Sequence, residues 1–271
     1  MADSGDGTVG KALDVLDRVA AHGRPVRFSD LLDQSPFPKA TLYRLLQTLT
    51  SQRMLAYDPD RQTYAPGMRL VRLAHAAWAQ SSLAPIARPH IDRLSGMVGE
   101  TVHLAQLDHG QVLYVDKRNA RDPVQMFSQA GKVGPAYCTG VGKAMLAFLP
   151  EPQLHEALQR QSWHRFTDKT HVSPDSLRAE LHQIRARGFC FDDEEHEPGI
   201  ICVAAPILGA AGQALGALSV TSTTTRHSLD RLADLAPQIR QTARAIAADA
   251  EDWAFPHARQ MQSQASQETD P

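Results

Sequence analysis

The segment SPFPKATLYRLLQTLTSQRML carries Leu42, Leu45, Leu46 and Leu49 at i, i+3, i+4 and i+7, which places four side chains on one stripe of a helix. A helix with a single apolar stripe must be covered, and the flanking sequence offers the cover. Upstream, Val9, Ala12, Leu13, Leu16, Val19 and Ala20 recur at helical spacing and stop at His22-Gly23. A short helix is expected next, from Ser29 as N-cap through Leu31 and Leu32 to Gln34, and Pro38 suits the first turn of the leucine-striped helix. Downstream, MLAYDPDRQTYAPG sets two short tyrosine-bearing runs around Asp58-Pro59-Asp60, the pattern of a hairpin.

Three helices and a hairpin in this order read as a winged helix-turn-helix. With the leucines turned inward, Lys39, Thr41, Tyr43, Arg44, Gln47 and Thr48 are left on the outer surface, and Arg61 and Gln62 flank the hairpin turn. These residue types reach phosphates and base edges, and the early residues of a recognition helix come nearest the major groove. A charged helix face is ordinarily just solvated, so the charge balance matters. Arg18 to Arg72 holds nine Lys/Arg and four Asp/Glu, a net of +5, whereas the whole chain is at −2, leaving −7 elsewhere. A small basic part joined to an acidic remainder suggests a polyanion-binding module attached to something of different purpose.

Beyond the hairpin, MRLVRLAHAAWAQ continues as an alanine-rich helix, a candidate linker. The pattern then changes. GETVHLAQLDHGQVLYVDKR shows two alternating runs about Asp108-His109-Gly110, with Val102, Leu104, Val112 and Tyr114 or their neighbours expected inward. Helices are expected at Gly140 to Phe148, Pro174 to Arg187 closed by Gly188, and Leu229 to Ala248, with strands in GFCFDD and on either side of Gly209 to Gly212. Mixed order with two hairpins predicts an α+β fold. The expected organisation is a winged helix-turn-helix over 8–66, a linker helix over 67–81, a second domain over 82–250 and a flexible tail over 251–271. The N-terminus lacks a signal-peptide pattern, and the tract Ala204 to Val220 is broken by glycines, so a cytoplasmic protein with no membrane partner is expected. Cys138, Cys190 and Cys202 are too few and scattered for a disulfide framework and read as small buried hydrophobes.

AYCTGVGKAMLAFLP invites a phosphate-loop reading, which fails: Tyr137 and Ala144 stand where a Walker loop needs glycine and Ser/Thr, and Met145 replaces the third glycine of a dinucleotide fingerprint. Two explanations remain for glycines at a helix start. Gly140 and Val141 present uncovered amides to the acid end of a ligand, or the helix approaches a sheet so closely that only glycine fits. Lys143 is expected to be a solvated helix residue, and Asp193, Glu194, Glu195 and Glu197 a solvated acidic loop. No catalytic residue, metal or cofactor is expected. Cys138 or Cys202 with His103 or His196 and Asp192 carries no hydrolase signature, and Asp192, Asp193, Glu195 and His196 lack zinc or calcium spacing.

The run KALDVLDRVAAHGRPVRFSDLLDQSPFPKATLYRLLQTLTSQRMLAYDPDRQTYAPGMRLVRLA, followed in order by ETVHLAQLDHGQVLYVDKR, CTGVGKAMLAFLP, GFCFDDEEHEPGIICVAAP and GALSVT, resembles the IclR family of bacterial transcriptional regulators over residues 8 to 248. The resemblance implies a winged helix-turn-helix, a linker helix used in dimerisation, and a GAF/PAS-like α/β effector-binding domain sensing a small organic acid. It further implies operator-DNA binding as homodimers or dimers of dimers. By this resemblance Asp192, Cys202, Ser219 and Thr221 match effector contacts, with Met126 and Ile200 as apolar walls beside Gly140 and Val141. Asp192 would accept a ligand hydroxyl while Ser219 and Thr221 donate. Two departures stand out. KATLYR replaces a Ser-Thr-Val-His core, and Ile201 stands where an arginine is frequent. Met126, Tyr137 and Cys138 resemble the branch responding to sugar acids such as 2-keto-3-deoxygluconate. The expected function is a ligand-responsive regulator, a repressor in preference to an activator. The alternatives are a constitutive DNA binder with a purely oligomerising second domain, and a Cys/His hydrolase.

Overall fold

The structure, a computed structural model, describes residues 7–81 and 83–251. The chain divides into two compact units between Gln80 and Ser81. In the first, α1 (Gly7–Ala21), β1 (Val26–Arg27), α2 (Phe28–Asp33) and α3 (Lys39–Ser51) precede the hairpin β2 (Leu55–Asp58) and β3 (Thr63–Pro66), and α4 (Met68–Ser81) follows. The leucine stripe of α3 is buried against Val15, Leu16, Val19, Leu31, Leu55 and Tyr64. Gly23 closes α1 at φ 64°, the left-handed conformation that glycine adopts without penalty.

Three local details differ from expectation. Arg27 occupies the N-cap of α2, and Ser29 instead donates its hydroxyl to the Asp30 carboxylate. Pro38 sits at the N-cap of α3, one position before the first turn. The wing turn is wider than Asp58-Pro59-Asp60, because the Asp58 carboxylate accepts from the amides of both Asp60 and Arg61 and the chain reverses only at Gln62, φ 54°. β1 joins the hairpin as a third strand, order β1-β3-β2.

The second unit runs α5 (Ala84–Val98), β4 (Thr101–Asp108), β5 (Gln111–Arg118), β6 (Val133–Gly134), α6 (Gly140–Leu146), α7 (Glu151–Gln159), α8 (Pro174–Arg187), β7 (Cys190–Asp193), β8 (Ile200–Leu208), β9 (Ala214–Thr223), α9 (Leu229–Ala233) and α10 (Ala236–Asp249). Its six strands form one antiparallel sheet, order β6-β5-β4-β9-β8-β7, so the fold is α+β as expected. α6 packs across β4, β7, β8 and β9, while α5 packs on β4 and α10 on β8 and β9. Both faces of the sheet are therefore covered. Val102 and Leu104 are buried, but so are Thr101, His103 and Ala105 on the opposite face, so a one-sided reading of the alternation was too simple.

α5 and α7 were not expected. α5 holds Pro85 in its first turn and Pro89 inside, and proline suppresses a helix signal read from sequence. The expected helix from Leu229 to Ala248 is two, α9 and α10, because Pro237 belongs to a new first turn and cannot continue α9. The expected tail lies, beyond Glu251, outside the described residues. Among the described residues no helix is long and apolar enough to cross a membrane.

Candidate functional site

Strand register assembles the site. Asp192 pairs across to Cys202 and Cys202 to Thr221, while Ser219 lies opposite His103, giving two polar rows on the face that α6 covers. Met126 comes from the segment between β5 and β6, and Ile200 opens β8. All eight residues expected to contact an effector, Met126, Gly140, Val141, Asp192, Ile200, Cys202, Ser219 and Thr221, line one cavity, joined by His103, Tyr114, Ser128, Thr139, His196 and Glu197. Its volume is about 30 Å³, space for water and far below the several hundred Å³ of a typical ligand pocket.

The glycines at the start of α6 are required by packing. A Cβ on Gly140 would overlap the Cys202 sulfur and lie 3.2 Å from the Ala204 Cβ, and one on Gly142 would overlap Ala136. The amides nevertheless remain open to a ligand in chemical terms. Thr139 stands at the N-cap but donates its hydroxyl to the Pro135 carbonyl at 2.8 Å, so no side chain caps the first turn, whose amides have no partner inside the helix.

Lys143 is not solvated. It is 1% exposed and ion-pairs with Glu195, itself 6% exposed, so the expectation of a solvated lysine and a wholly solvated acidic loop is corrected. Burial works against the Lys143 charge, but Glu195, with Cys190 and Asp192 beyond it, outweighs that and raises its pKa. The reason is the fold of the loop after β7: the Thr170 hydroxyl holds the Glu195 carbonyl at 2.6 Å and the Glu195 amide donates to Asp192 at 2.9 Å, turning the side chain inward. Glu197 is also recruited. Its carboxylate accepts from the Phe127 amide at 3.1 and 3.2 Å, tying this loop to the segment that carries Met126 and Ser128. Only Asp193 and Glu194 behave as expected, meeting Lys169 at the surface.

His103 lies at the floor of the cavity, and sequence reading did not place it there. Its Nε2 is 2.7 Å from the Ser128 hydroxyl and its Nδ1 3.2 and 3.3 Å from those of Thr221 and Ser219. Burial, with the nearby Lys117 charge, pushes its pKa down to about 3, so the ring is neutral and orients three hydroxyls. A lone polar residue between Val102 and Leu104 was the available signal, and its meaning depended on a register no local pattern reveals. Burial, with Glu195, raises the Asp192 carboxyl to about 7 against the opposing pull of Lys143. The three cysteines are buried and their thiols are pushed up by burial, the reverse of nucleophile activation. Among the described residues no three His, Cys, Asp or Glu side chains converge as a metal site requires.

In the first unit Lys39, Tyr43, Arg44, Gln47 and Thr48 are exposed on α3, with Thr41 partly so, and Arg61 is exposed on the wing. Gln47 donates to the Tyr43 hydroxyl at 2.9 Å, and Thr48 turns its hydroxyl to the Arg44 carbonyl of its own helix. An open groove of about 810 Å³ is lined by Arg27, Phe28, Ser29, Lys39, Ala40, Tyr43, Tyr57, Gln62 and Tyr64. A neighbouring one of about 550 Å³ shares Arg27 and Gln62 and adds Arg24, Pro25, Asp60, Arg61 and Thr63. Arg24 and Arg27 join this basic surface through β1, a two-residue strand too short to read from sequence.

The chain matches the IclR helix-turn-helix domain over residues 8–59 and the C-terminal domain of IclR bacterial transcriptional regulators over residues 75–248. It is 33% identical to the HTH-type transcriptional regulator BhcR of Paracoccus denitrificans (strain Pd 1222) over 87% of this chain and 84% of that one. It is 29% identical to the transcriptional repressor IclR of Escherichia coli (strain K12), over 87% of each. The crystal structure of an IclR homolog complexed with 4-hydroxybenzoate from Microbacterium hydrocarbonoxydans shares the fold, with a TM-score of 0.76 at 22% identity over 90% of this chain and 98% of that one. With both domain matches arriving in the order of the two units, and together spanning most of the sequence, the chain belongs to the IclR family of ligand-responsive bacterial transcriptional regulators.

Proposed function

We propose that this regulator is a cytoplasmic repressor that binds operator DNA as a homodimer or dimer of dimers and is released by a small carboxylate, with a hydroxylated sugar acid as the favoured class. The observation that carries the effector half is the convergence of all eight expected contact residues on one cavity. Polar lining from Ser128, Asp192, Ser219 and Thr221 suits a hydroxylated acid better than a purely aromatic one. Because the cavity holds only about 30 Å³, an effector has to open it. The segment bearing Met126 and Ser128, held by the Glu197–Phe127 and Ser128–His103 hydrogen bonds, is the part that gives way. A ligand that binds only the opened arrangement shifts the population toward it, and if operator DNA prefers the closed one, each weakens the other reciprocally.

For DNA, Lys39, Thr41, Tyr43, Arg44 and Thr48 on α3 and Arg61 on the wing form the contact set, α3 entering the major groove and the wing meeting the backbone. The exposed apolar residues of α4, Met68, Val71 and Leu73, offer a surface for a second copy, which supports the linker role expected of this helix. The test is titration of a duplex selected from random sequence by the protein itself, at several salt concentrations. Lys39→Ala and Arg44→Ala are each expected to weaken binding by about 1–3 kcal/mol, and loss of a phosphate contact lowers the salt slope by about one. Wild-type affinity in both variants would remove α3 from the interface. A thermal-shift screen of sugar acids tests the effector half, and no stabilisation by any acid favours the constitutive, purely oligomerising alternative.

A further inference from the structure

The cavity's charge inventory is unfavourable for the ligand it is proposed to take. Three carboxylates stand at or beside it, Asp192, Glu195 and Glu197, against two ammonium groups. Lys143 is held by Glu195, and Lys117, which does not line the cavity, gives one of its three N–H donors to the Ser128 carbonyl at 2.8 Å. His103 is neutral, with both ring nitrogens facing hydroxyls, and His196 lies 3.8 Å from Glu197. Around Asp192 itself stand Cys190 on its own strand, Cys202 opposite on β8, Tyr114 on β5, Cys138 just before α6 and Lys143 within it, His103 on β4, and Glu195, His196 and Glu197 in the following loop. Among the described residues Asp192 forms no ion pair, and its Oδ1 accepts only from the Glu195 amide. A ligand carboxylate placed against an ionised Asp192 in this small, buried site would put two like charges in contact, an arrangement that is relieved when the pair shares one proton.

We infer that a carboxylate effector enters the cavity together with one proton, carried by Asp192 and directed to the ligand as a hydrogen bond. The inference rests on the cavity being the effector site and refines it: Asp192 is a donor to the acid group and not an ionised acceptor of a hydroxyl. The proton comes from solvent and no covalent bond to the ligand is made or broken. Burial already holds this carboxyl protonated to near neutrality, so the unliganded protein is poised for the exchange.

Calorimetric titration of the full chain with 2-keto-3-deoxygluconate and with 4-hydroxybenzoate at pH 8, in phosphate and in Tris, measures proton uptake directly. One proton per bound acid is expected, with wild-type affinity falling about tenfold per pH unit above neutrality. Asp192→Asn retains a donor without a charge, so it is expected to bind independently of pH and to exceed the wild type at pH 8.5. No proton uptake by the wild type, or weaker binding by Asp192→Asn at every pH, overturns the inference. If neither acid produces heat, the carboxylate reading for these acids fails separately and the unliganded protein decides the proton. Asp192 has a raised folded pKa, so its contribution to stability is present at low pH and lost as pH rises through neutrality. The melting temperature of Asp192→Asn must therefore gain on the wild type between pH 5 and 8.5, and parallel curves sink the claim.

Discussion

The two units use charge in opposite ways. In the first, the core of Val15, Leu16, Val19, Val26, Leu31, Leu42, Leu45, Leu46, Leu49, Leu55 and Tyr64 is apolar, and every arginine and lysine of the +5 excess lies at least partly outside it. In the second, polar groups go inside: among the described residues all buried polar or charged side chains fall between Thr101 and Ser222, Lys143, Asp192 and Glu195 among them. A surface that meets a polyanion needs its cations accessible, where they displace counterions. A cavity that discriminates small molecules needs its polar groups desolvated and fixed, because only there does an unmatched hydrogen bond cost enough to reject a ligand.

The largest effect should come from breaking that inner charge pair. Lys143→Met leaves the buried Glu195 with only His171, 3.8 Å away, to face it, and is expected to destabilise the protein by about 3–5 kcal/mol in chemical denaturation, most of it restored by adding Glu195→Leu. A loss below about 1 kcal/mol would mean that the pair is not structural. Next comes Gly140→Ala, whose methyl group meets Cys202: about 1–3 kcal/mol is expected, eased by Cys202→Ala. If Gly140→Ala is neutral for stability but abolishes effector binding, the glycine keeps space for the ligand beside its amide and is not there for the packing. The smallest change in stability belongs to the headpiece. Exposed Arg27→Ala should stay within about 0.5 kcal/mol of wild type while lowering the salt slope of DNA binding by about one. An unaltered slope would leave the groove beside α3 outside the DNA contact.

The headpiece was legible because its information is local. A leucine stripe has one helical period and one side to bury, so the cations between the leucines had to face outward, and the structure places Lys39 and Arg44 there. The sensor was legible in its hairpins, α6 and α8, but not in α5, α7 or its charges. Lys143 follows two glycines on a seven-residue helix, a context that reads as surface, and Glu195 sits in DDEEHE, a run that reads as solvated. Each is buried because the other is there, and the two are 52 positions apart. His103 likewise looked like one polar interruption of a strand until β9 supplied Ser219 and Thr221 on one side and the segment after β5 supplied Ser128 on the other.

Periodicity, turn residues and regional charge by themselves determined a basic helical module with a wing and an antiparallel α+β partner, since each of those follows from contacts a few residues apart. Which of the inner polar groups carry charge was decided only by tertiary structure. A buried carboxyl or ammonium takes its protonation from whatever lies within a few ångströms, and at Lys143, Asp192 and His103 those neighbours come from distant strands and loops.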